Sequence, residues 1–174
     1  MSDIESSSRN TAEFVPSWHW IVRSPVRFIA FGFGSGLLRP GPGTWGTLAA
    51  WPIWLLTLAH ASDIVVAACL VLGFAVGCQL CHIAGKEAGK VDHGGIVWDE
   101  MVAFWLVLWL TPPGFWPQLA AFILFRFFDI LKPPPIRYFD RHWHNGFGVM
   151  WDDILAAGYS LLGMALLVRL GVFA

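Results

Sequence analysis

The chain has 174 residues, 56% of them hydrophobic and 13% charged, with a formal net charge of −1 and a mean hydropathy of +0.60. Charged residues make up about a quarter of an ordinary soluble domain, so this composition points to an integral membrane protein of one domain. It also excludes nucleic acid as a partner, because no basic stripe exists to hold a phosphate backbone.

Residues 1–17 are rich in Ser and acidic side chains and read as a disordered tail. Residues 18–174 read as a single membrane-embedded domain. Its first stretch, 18–33, mixes Trp18, Trp20, Ile21, Phe28 and Phe31 with Arg23 and Arg27, and Pro25 interrupts it. That pattern predicts an interfacial segment lying against anionic headgroups, not a span. A glycine-rich stretch follows, GFGSGLLRPGPGTWG at 32–46. Gly41, Gly43 and Gly46 match the spacing of a dinucleotide fingerprint, but no strand precedes them and no βαβ unit surrounds them. Two uses remain open. A turn feeding a helix start at Thr44 exposes backbone N–H groups to a phosphate, with Arg39 adding a bidentate donor. Alternatively the glycines form a flexible elbow at the membrane surface.

Five apolar runs come next, at 44–60, 64–84, 97–111, 115–131 and 149–173. A straight span needs about 20 residues, so the first, third and fourth are short and some of the spans are expected to start in the interface or be re-entrant. The expected fold is all-α: an integral membrane bundle of about five apolar helices plus the N-terminal interfacial segment. All three cysteines, Cys69, Cys78 and Cys81, fall in one apolar run, which argues against a disulfide framework. Cys78, Cys81 and His82 match the spacing of a c-type haem attachment site; small packing residues and an interfacial histidine are the simpler reading.

Nine of the eleven cations, including Arg39, Lys86, Lys90, Lys132, Arg137 and Arg141, lie in the N-terminal region or in the two longer loops, 85–96 and 132–148. Five spans place those regions on one side, which the positive-inside rule makes cytoplasmic. The same orientation collects the acidic residues. Asp99 and Glu100 open the third run, Asp129 closes the fourth, and Asp152 and Asp153 open the fifth. Ionisable groups beside membrane helices are expensive and mark functional sites. Helix capping competes as an explanation for each adjacent pair, but it fails for Asp129, which sits near a helix C-terminus where a negative charge is unfavourable. Arg126 or Lys132, spaced three residues either side of it, could pair with it. Residues 95–103 also repeat at 148–156, matching at Gly, Trp, Asp and Ala, which predicts two parallel helices presenting paired acids to a shared cleft. Oxygen donors without a zinc-type Cys/His pattern favour a hard cation such as Mg²⁺, and carboxylates beside cations suit a phosphate ester.

The chain resembles the phosphatidylglycerophosphatase A family of bacterial membrane lipid phosphatases. The resemblance rests on GFGSGLLRPGPGTWG at 32–46, Cys81-His82, DHGGIVWDE at 92–100, FRFFDILKPPPIRYFD at 125–140 and GFGVMWDD at 146–153. It implies Mg²⁺-dependent hydrolysis of phosphatidylglycerophosphate to phosphatidylglycerol and phosphate at the cytoplasmic leaflet of the inner membrane. On this reading Glu100, Asp129, Asp152 and Asp153 hold Mg²⁺, and Asp99 is a further ligand or the base that orients water. Arg126 and Lys132 bind the phosphate or hold Asp129. Arg39, Gly43 and Thr44 clamp the phosphate from the first span, and Asp140 is the candidate acid for the leaving alkoxide. The alternative is a small cation transporter or channel lined by the acidic cluster; charge confined to one face argues against it, since a pathway needs polar groups at several depths.

Overall fold

The computed structural model describes residues 14–173, so residues 1–13 of the expected tail lie outside the described residues. Two short helices open the chain. Ser17 caps α1 (Trp18–Val22) by accepting from the Trp20 amide, and Pro25 takes the first position of α2 (Pro25–Ala30), where its missing N–H costs nothing. Neither helix is long enough to span. Arg27 lies over the Trp20 ring at 4.4 Å and pairs with Glu87 at 3.3 Å, fastening this segment to the end of the longest helix.

The glycine-rich stretch forms a 3-10 turn at Gly32–Leu37 and feeds α3 (Pro42–Leu56), which starts two residues before Thr44. A second 3-10 turn, Leu58–His60, leads to α4 (Asp63–Glu87). The remaining helices are α5 (Trp98–Trp109), α6 (Phe115–Leu131), α7 (Ile136–His142) and α8 (Gly146–Arg169). Helix α7 sits inside what reads from sequence as one loop. α8 begins three residues ahead of its apolar run because Asn145 caps it, accepting from the Gly148 amide at 2.8 Å.

Among the described residues all regular structure is helical, as expected. Helices α3, α4, α5, α6 and α8 fall on the five apolar runs, but among the described residues only α4 and α8 are long and apolar enough to cross a membrane. Both carry exposed apolar side chains along their length, among them Ile64, Val71, Leu72, Leu162, Leu166 and Val168. The 12-residue α5 is the centre: α3, α4, α6 and α8 all pack against it, and Met101, Ala103, Phe104 and Val107 are fully buried.

Close approach accounts for Gly36, Gly43 and Gly46 of the elbow, whereas Gly41 is there for its left-handed backbone, φ 69°. A Cβ on Gly46 would lie 2.4 Å from Val97 Cβ, at the entrance to α5. The β-branched Val97 is fully buried and its amide is bonded to Ala30 O, so it has little room to yield. Gly46→Ala is therefore expected to destabilise the fold by about 1–3 kcal/mol, read as a lower thermal unfolding midpoint in detergent; a midpoint equal to the wild type would contradict this α3–α5 contact.

Candidate active site

The expected carboxylates do meet, at the end of the bundle where α5 and α8 begin and α6 ends. Asp99 and Glu100 lie in the first turn of α5, where a negative charge is favoured. Asp152 and Asp153 lie about two turns into α8, so capping cannot account for the second pair. Asp99, Asp129, Asp152 and Asp153 are buried, and Glu100 is nearly so. Asp153 interacts electrostatically with Asp129, Asp99, Asp152 and Glu100. The repeated segments thus supply two acid pairs to one cluster from helices that pack together.

Two cations hold this cluster. Arg126 Nη1 donates to Asp129 Oδ2 at 2.8 Å, one turn along α6, and to Glu100 Oε1 at 3.0 Å on α5. Lys132 follows α6 directly, with φ 45°, in the left-handed region. That conformation costs a non-glycine residue about 1–2 kcal/mol. It places Nζ 2.6 Å from Asp152 Oδ2 and in contact with Asp140 Oδ1 on α7. Burial works against the charge of Lys132, but these carboxylates outweigh it and push its pKa up, so the ammonium is held charged. Of the three residues expected on one helix face, Arg126 and Asp129 share it and pair, whereas Lys132 has left the helix and turns to Asp140 and Asp152 rather than to Asp129.

The balance of charge is the main electrostatic feature. Asp99, Glu100, Asp129, Asp152 and Asp153 face only Arg126 and Lys132, an excess of three negative charges if all are ionised. Asp99 Oδ1, Glu100 Oε2 and Asp152 Oδ1 are buried without a hydrogen-bond partner among the described residues. Orphaned carboxylate oxygens of this kind fit a hard divalent cation, and the donor set is all oxygen. Among the described residues no three acidic side chains yet close on one point, because Arg126 and Lys132 lie between them.

The phosphate clamp expected from the elbow looks different. Arg39 is exposed and makes no hydrogen bond or ion pair among the described residues. The backbone of Gly43 is covered by the Glu100 carboxylate: a Cβ there would fall 1.9 Å from Oε1. Thr44 is half-buried beside it. Thr47, one turn on and fully buried, was not legible as a site residue, yet its hydroxyl accepts from Arg126 Nη1 at 3.2 Å. Asp92 also escaped the sequence reading. It acts electrostatically on Asp99 and Asp152, and it lines a crevice with Asp140, His144 and Asp152. The haem-like spacing lies wholly within α4, where Cys81 is buried with its Sγ 4.0 Å from Met150 Sδ, a packing arrangement.

Fold and site together define a helical protein whose apolar bundle ends in a buried carboxylate–cation centre. The family model described as Phosphatidylglycerophosphatase A matches residues 28–168. A Phosphatidylglycerophosphatase A of Haemophilus influenzae is 49% identical over 140 residues, covering 80% of this chain and 86% of that relative. One of Escherichia coli is 45% identical over 138 residues, covering 79% and 80%. No solved structure matches the chain. The chain belongs to the phosphatidylglycerophosphatase A family.

Lys132→Met strands Asp140 and the buried Asp152, and is expected to cost about 2 kcal/mol, reduced from the fully buried case by the partial exposure of Lys132. Most of this should return in Lys132→Met/Asp152→Asn. Chemical unfolding of the four forms in chelator checks the pairing; additive losses would contradict it.

Proposed function

We propose that the carboxylate–cation centre hydrolyses phosphatidylglycerophosphate to phosphatidylglycerol and inorganic phosphate, at the cytoplasmic face of a bacterial inner membrane. Family membership makes the chain a phosphatidylglycerophosphatase, a lipid phosphomonoester hydrolase. The observation that carries the assignment to this site is the cluster of buried carboxylates, more than its two cations can pair, in an apolar bundle, a costly arrangement kept where function needs it. The alternative of a cation pathway finds no support in the comparisons.

The membrane setting is part of the proposal. The domain from residue 18 onward is embedded as a multi-pass bundle, with α4 and α8 as full spans. The shorter α3, α5 and α6 complete it as short or re-entrant segments. Arg27 pairs with Glu87 at the end of α4, and Lys132 pairs with Asp152 among the acids, which supports a cytoplasmic site. A lipid phosphate lies at that depth.

Glu100, Asp129, Asp152 and Asp153 would hold Mg²⁺, with Asp99 as a further ligand or the base. Bound there, Mg²⁺ would neutralise the phosphoryl oxygens and make water acidic enough to react near neutral pH. Asp99, with an unpartnered Oδ1, takes the proton of the attacking water as its oxygen bonds to phosphorus. The bond from phosphorus to the glycerol oxygen breaks, and Asp140 is the candidate to protonate the departing alkoxide. Lys132 holds Asp140 and Asp152 at the same spot and offers positive charge to the phosphate. Arg126 keeps Glu100 and Asp129 in register. Arg39, exposed beside this turn, is the candidate for an outer phosphate contact, while the Glu100 carboxylate covers the backbone at Gly43.

The test is phosphate release from phosphatidylglycerophosphate by the purified full chain in detergent, with Mg²⁺ and then with excess chelator. Release that requires Mg²⁺ is expected, and Asp129→Asn should lower it at least about a hundredfold while the protein stays folded. Release undiminished by chelator would remove Mg²⁺ from the proposal. No release from folded protein, or near-normal turnover by Asp129→Asn, would overturn the site.

A further inference from the structure

We propose that Thr47 is a positioning residue for this reaction, fixing the Arg126 guanidinium so that Glu100 and Asp129 are presented together. The inference rests on the phosphatase reading above and adds a residue of α3 to it. Thr47 is fully buried. Its hydroxyl has one proton, which it donates to Gly43 O at 2.9 Å, one turn back along α3. The oxygen is thereby left to act toward Arg126 only as an acceptor, and it receives Nη1 at 3.2 Å. The hydroxyl cannot turn away without breaking the bond to Gly43, so its lone pair has a set direction.

That direction matters because Arg126 is overcommitted. Nη1 carries two protons but faces three acceptors: Thr47 Oγ1, Glu100 Oε1 and Asp129 Oδ2. Arg126 Nε is buried with no hydrogen-bond partner among the described residues, so none of them anchors the side chain at that position. Thr47 is the one uncharged ligand of Nη1, and it comes from a third helix. The circuit closes through Gly43. Its carbonyl takes the Thr47 proton, and its open Cα face carries the Glu100 carboxylate, which is itself bonded to Arg126. α3, α5 and α6 are thereby tied together at the level of the acids. Thr47 touches neither the reacting phosphate nor the water; it acts through Arg126.

Two measurements on the full chain test this. The first is a cycle of thermal midpoints for Thr47→Val, Glu100→Gln and the double variant, in detergent with chelator. Coupled effects are expected, the double variant falling short of the summed shifts; additive shifts would overturn the inference. The second is steady-state hydrolysis of phosphatidylglycerophosphate with Mg²⁺. Thr47→Val, isosteric but without the hydroxyl, should lower kcat by about ten- to a hundredfold with little change in KM, and Thr47→Ser should restore it. An unchanged kcat in Thr47→Val, or Val and Ser variants equally impaired, would overturn it as well. A wild-type chain inert toward the lipid would overturn the phosphatase reading; the midpoint cycle would still decide whether Thr47 holds Arg126.

Discussion

Arg126 and Lys132 are what allow five carboxylates to gather at one end of an apolar bundle. Removing a charge from water costs several kcal/mol, and a mutual pairing recovers that cost only when geometry is good. Each cation therefore serves two chain segments at once. Arg126 joins α5 to α6, and Lys132 joins the end of α6 to α7 and α8. The helices converge where they do because their acids share these two partners, and the left-handed backbone at Lys132 is tolerated for the same reason.

Even so, two cations leave the acids under-compensated, and three carboxylate oxygens remain buried without partners among the described residues. A bundle selected only for stability would replace them with apolar side chains. Under the proposed function the centre would be preorganised for a positive charge that arrives with function, and the proposed membrane setting would sharpen this, since few waters would be at hand to solvate the acids. In the membrane placement proposed above, the same centre would sit where a phospholipid headgroup presents its phosphate. Hydrolysis of a lipid phosphomonoester requires that coincidence of depth and charge.

The sequence makes the acids legible for a simple reason: ionisable residues stand out in apolar surroundings, and Asp129 stands out twice because its helix end disfavours it. Helix α6 is equally plain, bounded by Gly114 and Pro133. Helix α7 is not, because three prolines and a polar stretch of 17 residues read as loop, whereas Pro135 in fact stands at its N-cap. The start of α8 shifts because Asn145, not the apolar pattern, decides it. Arg39 reads as a phosphate clamp from its place beside the glycine-rich turn, and makes no hydrogen bond or ion pair among the described residues. Thr47 is silent in the sequence, since a threonine in an apolar helix ordinarily bonds its own backbone, and only the fold brings Arg126 to it from 79 residues away.

Asp153 offers the most direct test. It is buried and has no hydrogen bond or ion pair among the described residues, and four other carboxylates surround it; its attraction to Arg126 and Lys132 acts without direct contact. If the centre is held in this strained state for catalysis, Asp153→Asn should unfold at the same temperature as the wild type or higher in chelator, and should lose phosphate release from phosphatidylglycerophosphate in Mg²⁺. A less stable variant that keeps its turnover would contradict the account.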